Sequence, residues 1–177
     1  MINKLLTFLS LASVLAYSSC DNDDPMEEPP ILLENYIQFK ADGNFIDCDY
    51  KILLQDPVFN AYYVKGESVE MRRLVTDANT EGMNFQIDRF DMENTALPVT
   101  ITYSTDLSQP TVTAIYTNDQ NVSYGSSSDD TKFSITINSY EENLITCNFS
   151  GQLFTSGANT QEITLTQGVV NLELIEY

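Results

Sequence analysis

The chain has no histidine and no tryptophan, and only 8 Lys and Arg stand against 26 Asp and Glu among 177 residues. Each shortage excludes something. Without histidine there is no Ser-His-Asp or Cys-His arrangement and no imidazole base. A net charge of −18 argues against nucleic acid, whose phosphates demand Lys and Arg, and against electrostatic docking on anionic lipid. The missing tryptophan removes the indole faces on which sugar rings commonly stack. A phosphate-cradling loop is absent too: the run GSSSDD (Gly125 to Asp130) lacks the lysine and the strand-to-helix setting. Alanine, lysine and arginine are scarce, so few segments favour helix.

What is there begins with MINKLLTFLSLASVLAYSSC. Lys4 supplies one positive charge, and an apolar run follows from Leu5 to Ala16. That run of roughly 12 residues suits the core of a signal peptide and falls short of the roughly 20 needed to span a membrane. Ser18 and Ser19 then precede Cys20. A small residue before such a cysteine resembles a lipobox, where signal peptidase cuts and the thiol receives lipid. Tyr17 stands where the usual lipobox has Leu, and this relaxed form resembles those of Bacteroidota. Asp21, Asn22, Asp23 and Asp24 resemble the acidic patch that in that phylum sends lipoproteins to the outer face of the outer membrane.

The resemblance implies a signal peptide over 1–19, lipidation at Cys20, and an outer-membrane, surface-facing address with the lipid in the membrane. Residues 20–35 form a spacer in which Asp21, Asp23, Asp24, Glu27 and Glu28 repel one another and Pro25, Pro29 and Pro30 stiffen the path. At about 3 Å per residue it holds the domain some 40 Å from the membrane.

From Tyr36 the hydrophobic period is two, so residues 36–177 are expected to form one all-β domain. Ile37 and Phe39 lead into the turn Ala41-Asp42-Gly43-Asn44, and Ile46, Cys48, Tyr50, Ile52 and Leu54 then share one face. Further strands are expected around Tyr62 and Val64, from Val69 to Val75 (where a short helix is the alternative), and over Met83–Ile87, Val99–Tyr103 and Val112–Tyr116. Asn121 to Asp130 reads as a loop. Phe133, Ile135 and Ile137 precede a turn at Glu141-Glu142-Asn143, after which Ile145, Cys147, Phe149 and Leu153 form the next face. Ile163 and Leu165 then change parity to Val170, Leu172 and Leu174, which places a β-bulge at Gln167-Gly168. The expectation is an antiparallel β-sandwich or barrel-like domain of about nine or ten strands. The opening hairpin YIQFKADGNFIDCDY and the closing FSITINSYEENLITCNFSGQLF and EITLTQGVVNLEL, with the lipobox, resemble small β-sandwich surface lipoproteins of Bacteroidota. The resemblance brings no active-site residue with it.

Cys48 and Cys147 both fall on apolar parity. In an exported protein they either pair as a disulfide or stay buried as free thiols. Neither has a histidine or third thiol to complete a metal site, so no metal or cofactor is assigned. Carboxylates are close in sequence at Asp88, Asp91 and Glu93, at Asp129 and Asp130, and at Glu141 and Glu142, but pairs at turns are ordinarily solvated and no catalytic role is assigned. The stretch Asp119 to Asp130 offers oxygens to calcium but lacks the D-x-D-x-D-G spacing. Tyr62, Tyr63, Tyr103, Tyr116, Tyr124 and Tyr140 either supply contacts or cap the core. The function expected is a non-catalytic binding or adhesion module with a glycan or protein ligand. The alternative is an accessory subunit of an envelope complex, assembling through edge strands.

Overall fold

The computed structural model describes residues 35–51, 61–77, 80–126 and 132–177. The expected signal peptide (1–19), Cys20 and all of the expected 20–35 spacer but Asn35 lie outside these, as do Ile52, Leu54, Asp129 and Asp130. The described residues contain twelve strands and no helix: β1 (Tyr36–Ala41), β2 (Asn44–Cys48), β3 (Ala61–Val64), β4 (Ser68–Leu74), β5 (Gly82–Asp88), β6 (Val99–Thr102), β7 (Thr111–Thr117), β8 (Ser123–Gly125), β9 (Phe133–Glu141), β10 (Leu144–Phe154), β11 (Glu162–Glu173) and β12 (Ile175–Glu176).

They form one sheet in the order β12-β3-β4-β5-β7-β8-β10-β11-β1-β2, with β9 added on β10 and β6 on β9. Every pairing is antiparallel except β12 with β3, so the sheet is mixed. It also curls. Tyr50, two residues past β2 at one end of the path, exchanges both backbone hydrogen bonds with Leu74 of β4 near the other end, at 2.9 and 3.1 Å. The all-β expectation holds, but the architecture is a curled mixed sheet of twelve strands rather than nine or ten. The two strands added are β8 and β12, three and two residues long, too short to show a period.

Alternation explains the core. Ile37, Phe39 and Ala41 on β1, Val69 and Met71 on β4, Met83, Phe85 and Ile87 on β5, and Ile145, Cys147 and Phe149 on β10 are all buried. Aromatic rings fill the centre: Phe85 meets Phe149 edge-on at 4.8 Å, and Phe39 meets Tyr116 at 5.2 Å. Such edge-to-face pairs contribute about 0.5–1.5 kcal/mol beyond the area they bury.

Two hairpins are set by their turns. Asp42 and Gly43 (φ 46° and 87°) join β1 to β2, and Glu142 and Asn143 (φ 51° and 69°) join β9 to β10. Two successive left-handed residues make a turn whose twist matches the strands it connects. The segment Val69–Leu74 is strand, not helix. The bulge expected at Gln167-Gly168 is present: β11 skips register against both β1 and β10 there. Gln167, not the glycine, takes the left-handed conformation (φ 54°). Gly168 is needed for space, because an added Cβ would lie 2.6 Å from three atoms of the Phe149 ring.

Candidate functional site

A groove of about 670 Å³ opens where β7, β8 and β10 diverge. Its geometry follows from pairing. Ile115 on β7 faces Gly125 on β8, and Gly125 faces Phe154 on β10, the single point at which β8 and β10 pair. Directly opposed residues on neighbouring strands project to the same side. Ile115 and Phe154 are therefore two apolar walls, and Gly125, with no side chain, is the floor between them. The neighbours of these walls, Ala114, Tyr116 and Leu153, point inward and are buried, which turns Ile115 and Phe154 outward. Ile115 is 40% exposed.

Polar groups rim the groove. Lys132 places its ammonium over the Phe154 ring, 5.4 Å from the centroid, a cation–π arrangement. Ser126, Thr155 and Thr160 line it as well. Their hydroxyls are oriented by the backbone: Ser126 Oγ accepts from the Ala114 N–H (3.1 Å), Thr155 Oγ1 accepts from the Gln161 N–H (2.8 Å), and Thr160 Oγ1 donates to the Gly157 carbonyl (3.2 Å). The groove thus offers two apolar surfaces, one cation and fixed hydroxyls. Its described lining residues include no carboxylate, thiol or imidazole.

The acidic residues singled out from sequence do not assemble into a reacting centre. Asp88 accepts from Gln86 (2.9 Å), Glu93 pairs with Lys65 (2.6 Å), and Glu141 and Glu142 lie exposed at a hairpin. Asp91 Oδ1 accepts the N–H groups of Glu93 and Asn94 (3.2 Å each), and Oδ2 accepts the Asn94 side-chain amide (2.8 Å). Hydrogen bonding from Asn94 above all holds the Asp91 carboxyl below its ordinary pKa. In the described part of the Asp119–Asp130 stretch, Asp119, Gln120 and Asn121 are exposed. The side-chain oxygen of the preceding Asn118 accepts from Gln120 and Val122 (3.0 and 2.9 Å) and so ties the turn. No group of three or more metal-ligating side chains occurs among the described residues.

The two cysteines are not bridged; both are free and buried. Register gives the reason. Cys48 faces Ile37, Ile37 faces Val170, and Val170 faces Cys147, so two strands lie between the thiols. Three strand spacings are about 14 Å along the sheet, against the 7 Å limit for Cα atoms of a disulfide.

The tyrosines serve the core more than the surface. Tyr63, Tyr116 and Tyr124 are buried, and Tyr62 and Tyr140 are half-buried. Hydroxyls that would otherwise face water donate to acidic side chains: Tyr62 to Glu70 (2.8 Å), Tyr63 to Glu176 (3.1 Å) and Tyr116 to Glu81 (3.0 Å). Burial first, and then the Glu81 carboxylate, raises the Tyr116 phenol.

Sequence reasoning missed Ile115, Gly125, Lys132 and Phe154. The signal was parity: Ile115 is apolar on the polar parity of its strand, and Phe154 follows Leu153 without alternation. Compared with known proteins, the chain matches no family model, no curated protein and no solved structure.

Proposed function

We propose that this chain is a non-catalytic binding module, anchored by lipid on Cys20 to the outer membrane and displayed at the cell surface on the 20–35 spacer, with the Ile115–Gly125–Phe154 groove as its ligand seat. The observation that carries the reading is the groove itself: two apolar walls, a bare floor and fixed hydroxyls among its described lining residues. Apolar surface with a few convergent polar groups is the common make-up of a recognition site. A glycan fits it best, with an apolar sugar face against Phe154 and ring hydroxyls on Ser126, Thr155 and Thr160. The curled sheet then acts as a barrel-like frame, closed through Tyr50 and Leu74, that holds these side chains rigid.

The test uses Gly125. An added Cβ there meets nothing nearer than the Ala114 carbonyl oxygen at 3.9 Å, so Gly125→Leu fills the groove without breaking the strand. On an array of defined neutral and uronic oligosaccharides, the native protein retains a subset. Gly125→Leu loses it by tenfold or more (about 1.4 kcal/mol) with its melting temperature unchanged. Retention of the same subset by the variant, or by neither protein, contradicts the proposal.

One observation favours assembly as a second reading. Among the described residues, the outer edge of β2, which carries the 63% exposed Phe45, pairs with another strand only beyond its end, at Tyr50. A strand added there by a partner would cover Phe45. Phe45→Lys would then abolish co-purification of that partner while sparing glycan retention.

A further inference from the structure

Arg73 is the one buried charged residue among those described. It stands on β4 in the inward row after Val69 and Met71 and is 3% exposed. Nη1 donates to the carbonyl of its own neighbour Arg72 (2.9 Å), whereas Nε is sealed from solvent with no partner. The ion pair found among the described residues, Lys65 with Glu93, lies elsewhere. A guanidinium stays protonated at any physiological pH. Among the described residues no carboxylate lies within ion-pair distance of it, and a buried charge without a close counter-charge is strongly unfavourable, so a bound anion would stabilise it.

Arg73 lines a pocket of about 340 Å³ at the seam where the sheet curls onto itself. Asp49 and Lys51 flank the bridging Tyr50, Ala61 opens β3, Glu173 ends β11 and Ile175 opens β12. The seam is held by the Tyr50–Leu74 bridge and the two-residue pairing of β12 with β3. The lining is mixed in sign, with Arg73 and Lys51 against Asp49 and Glu173.

We propose that this seam pocket binds a small zwitterion, of which a free α-amino acid is the simplest. Its carboxylate seats on the fork of Arg73 with Lys51 at the rim, and its ammonium lies toward Asp49 and Glu173. The fork of donors matches a carboxylate in shape. The two acidic side chains repel a dianion such as phosphate or a dicarboxylate and attract an ammonium. The pocket volume sits at the lower end of the small-molecule range. The site is separate from the groove at Phe154 and does not depend on that reading.

Thermal unfolding of the full chain tests it, with alanine, serine and ornithine as probes. N-acetylalanine supplies a carboxylate alone and alaninamide an ammonium alone; succinate and inorganic phosphate complete the set. At saturating ligand, at least one amino acid raises the melting temperature by about 5 °C, and none of the four controls does. Arg73→Met keeps the volume and removes the charge, so without ligand it melts no lower than the native protein, and it does not respond to any probe. Asp49→Asn combined with Glu173→Gln, both exposed in the native protein, weakens the response to amino acids and admits succinate. Gly125→Leu leaves all of this unchanged. The proposal fails if no amino acid acts, if phosphate or N-acetylalanine acts equally well, or if Arg73→Met melts well below the native protein, because the counter-charge is then supplied by the chain.

Discussion

At the scale of single residues, burial controls the chemistry of thiols and phenols here. Desolvation, helped by Glu81 and Asp47, pushes the Cys48 thiol from 9.0 up to about 12, and burial also raises Cys147. Burial and the hydrogen bond to Glu70 raise the Tyr62 phenol from 10.0 to about 12. Thiolate is the reactive species, so both thiols are inert while the fold persists. Peptides bearing Cys48 and Cys147 are expected to stay unlabelled by iodoacetamide at pH 8 and to label fully in denaturant. Labelling of either in the native protein contradicts the burial described.

The same shifts fix a stability profile. Raised pKa values mean that the folded state holds these protons longer than the unfolded chain does. Their contribution is therefore complete below about pH 9, where both states are protonated, and is lost as pH climbs from 9 toward 12. The melting temperature is expected to be level from about pH 7 to 8.5 and to fall steadily above pH 9. A level profile up to pH 11 contradicts it. Arg73 also belongs at this scale, because its place on the apolar parity of Val69 and Met71 was visible in the sequence. A charge in a hydrophobic row marks an exception, but the pocket beside it depends on how distant strand ends meet.

At the scale of elements, alternation and turn chemistry were enough to place most strands. The hairpins at Asp42-Gly43 and Glu142-Asn143 need left-handed backbone, and Asp, Gly and Asn adopt it readily. The bulge in β11 was legible because parity must change when one residue is added. Its division of labour was not, since that depends on Phe149 lying against Gly168 from another strand. Gly168→Ala is expected to destabilise by about 1–3 kcal/mol through crowding of that ring. Adding Phe149→Leu to Gly168→Ala is expected to cost less than the sum of the two single changes, as denaturant unfolding of all four proteins would show. Simple additivity would mean that the ring and the glycine do not meet. β8 and β12 escaped notice because two or three residues carry no period, and their pairing with β7, β10 and β3 is a matter of tertiary structure.

At the scale of the whole molecule, one sheet curls until Tyr50 meets Leu74, and its two candidate sites lie where regular pairing gives out. The groove opens where β8 and β10 share a single pairing, and the seam pocket opens where short segments bridge β2, β3 and β4. Neither place could be read from periodicity, because both depend on which strand ends meet after the sheet has curled. The N-terminal reading is of another kind. It rests on an apolar run, two serines and Cys20 in a local pattern, followed by a spacer of carboxylates and prolines.

Display at a membrane is the claim on which the binding role depends, and Cys20 is its single covalent point. The direct measurement is membrane fractionation of cells expressing the native chain or Cys20→Ser, with the cleaved and uncleaved forms resolved by mass. The native protein is expected in the outer-membrane fraction, cleaved before Cys20 and heavier by its lipid. Cys20→Ser is expected to be unprocessed and without lipid. A Cys20→Ser protein that is still cleaved at the same bond and still partitions with the outer membrane would contradict the account.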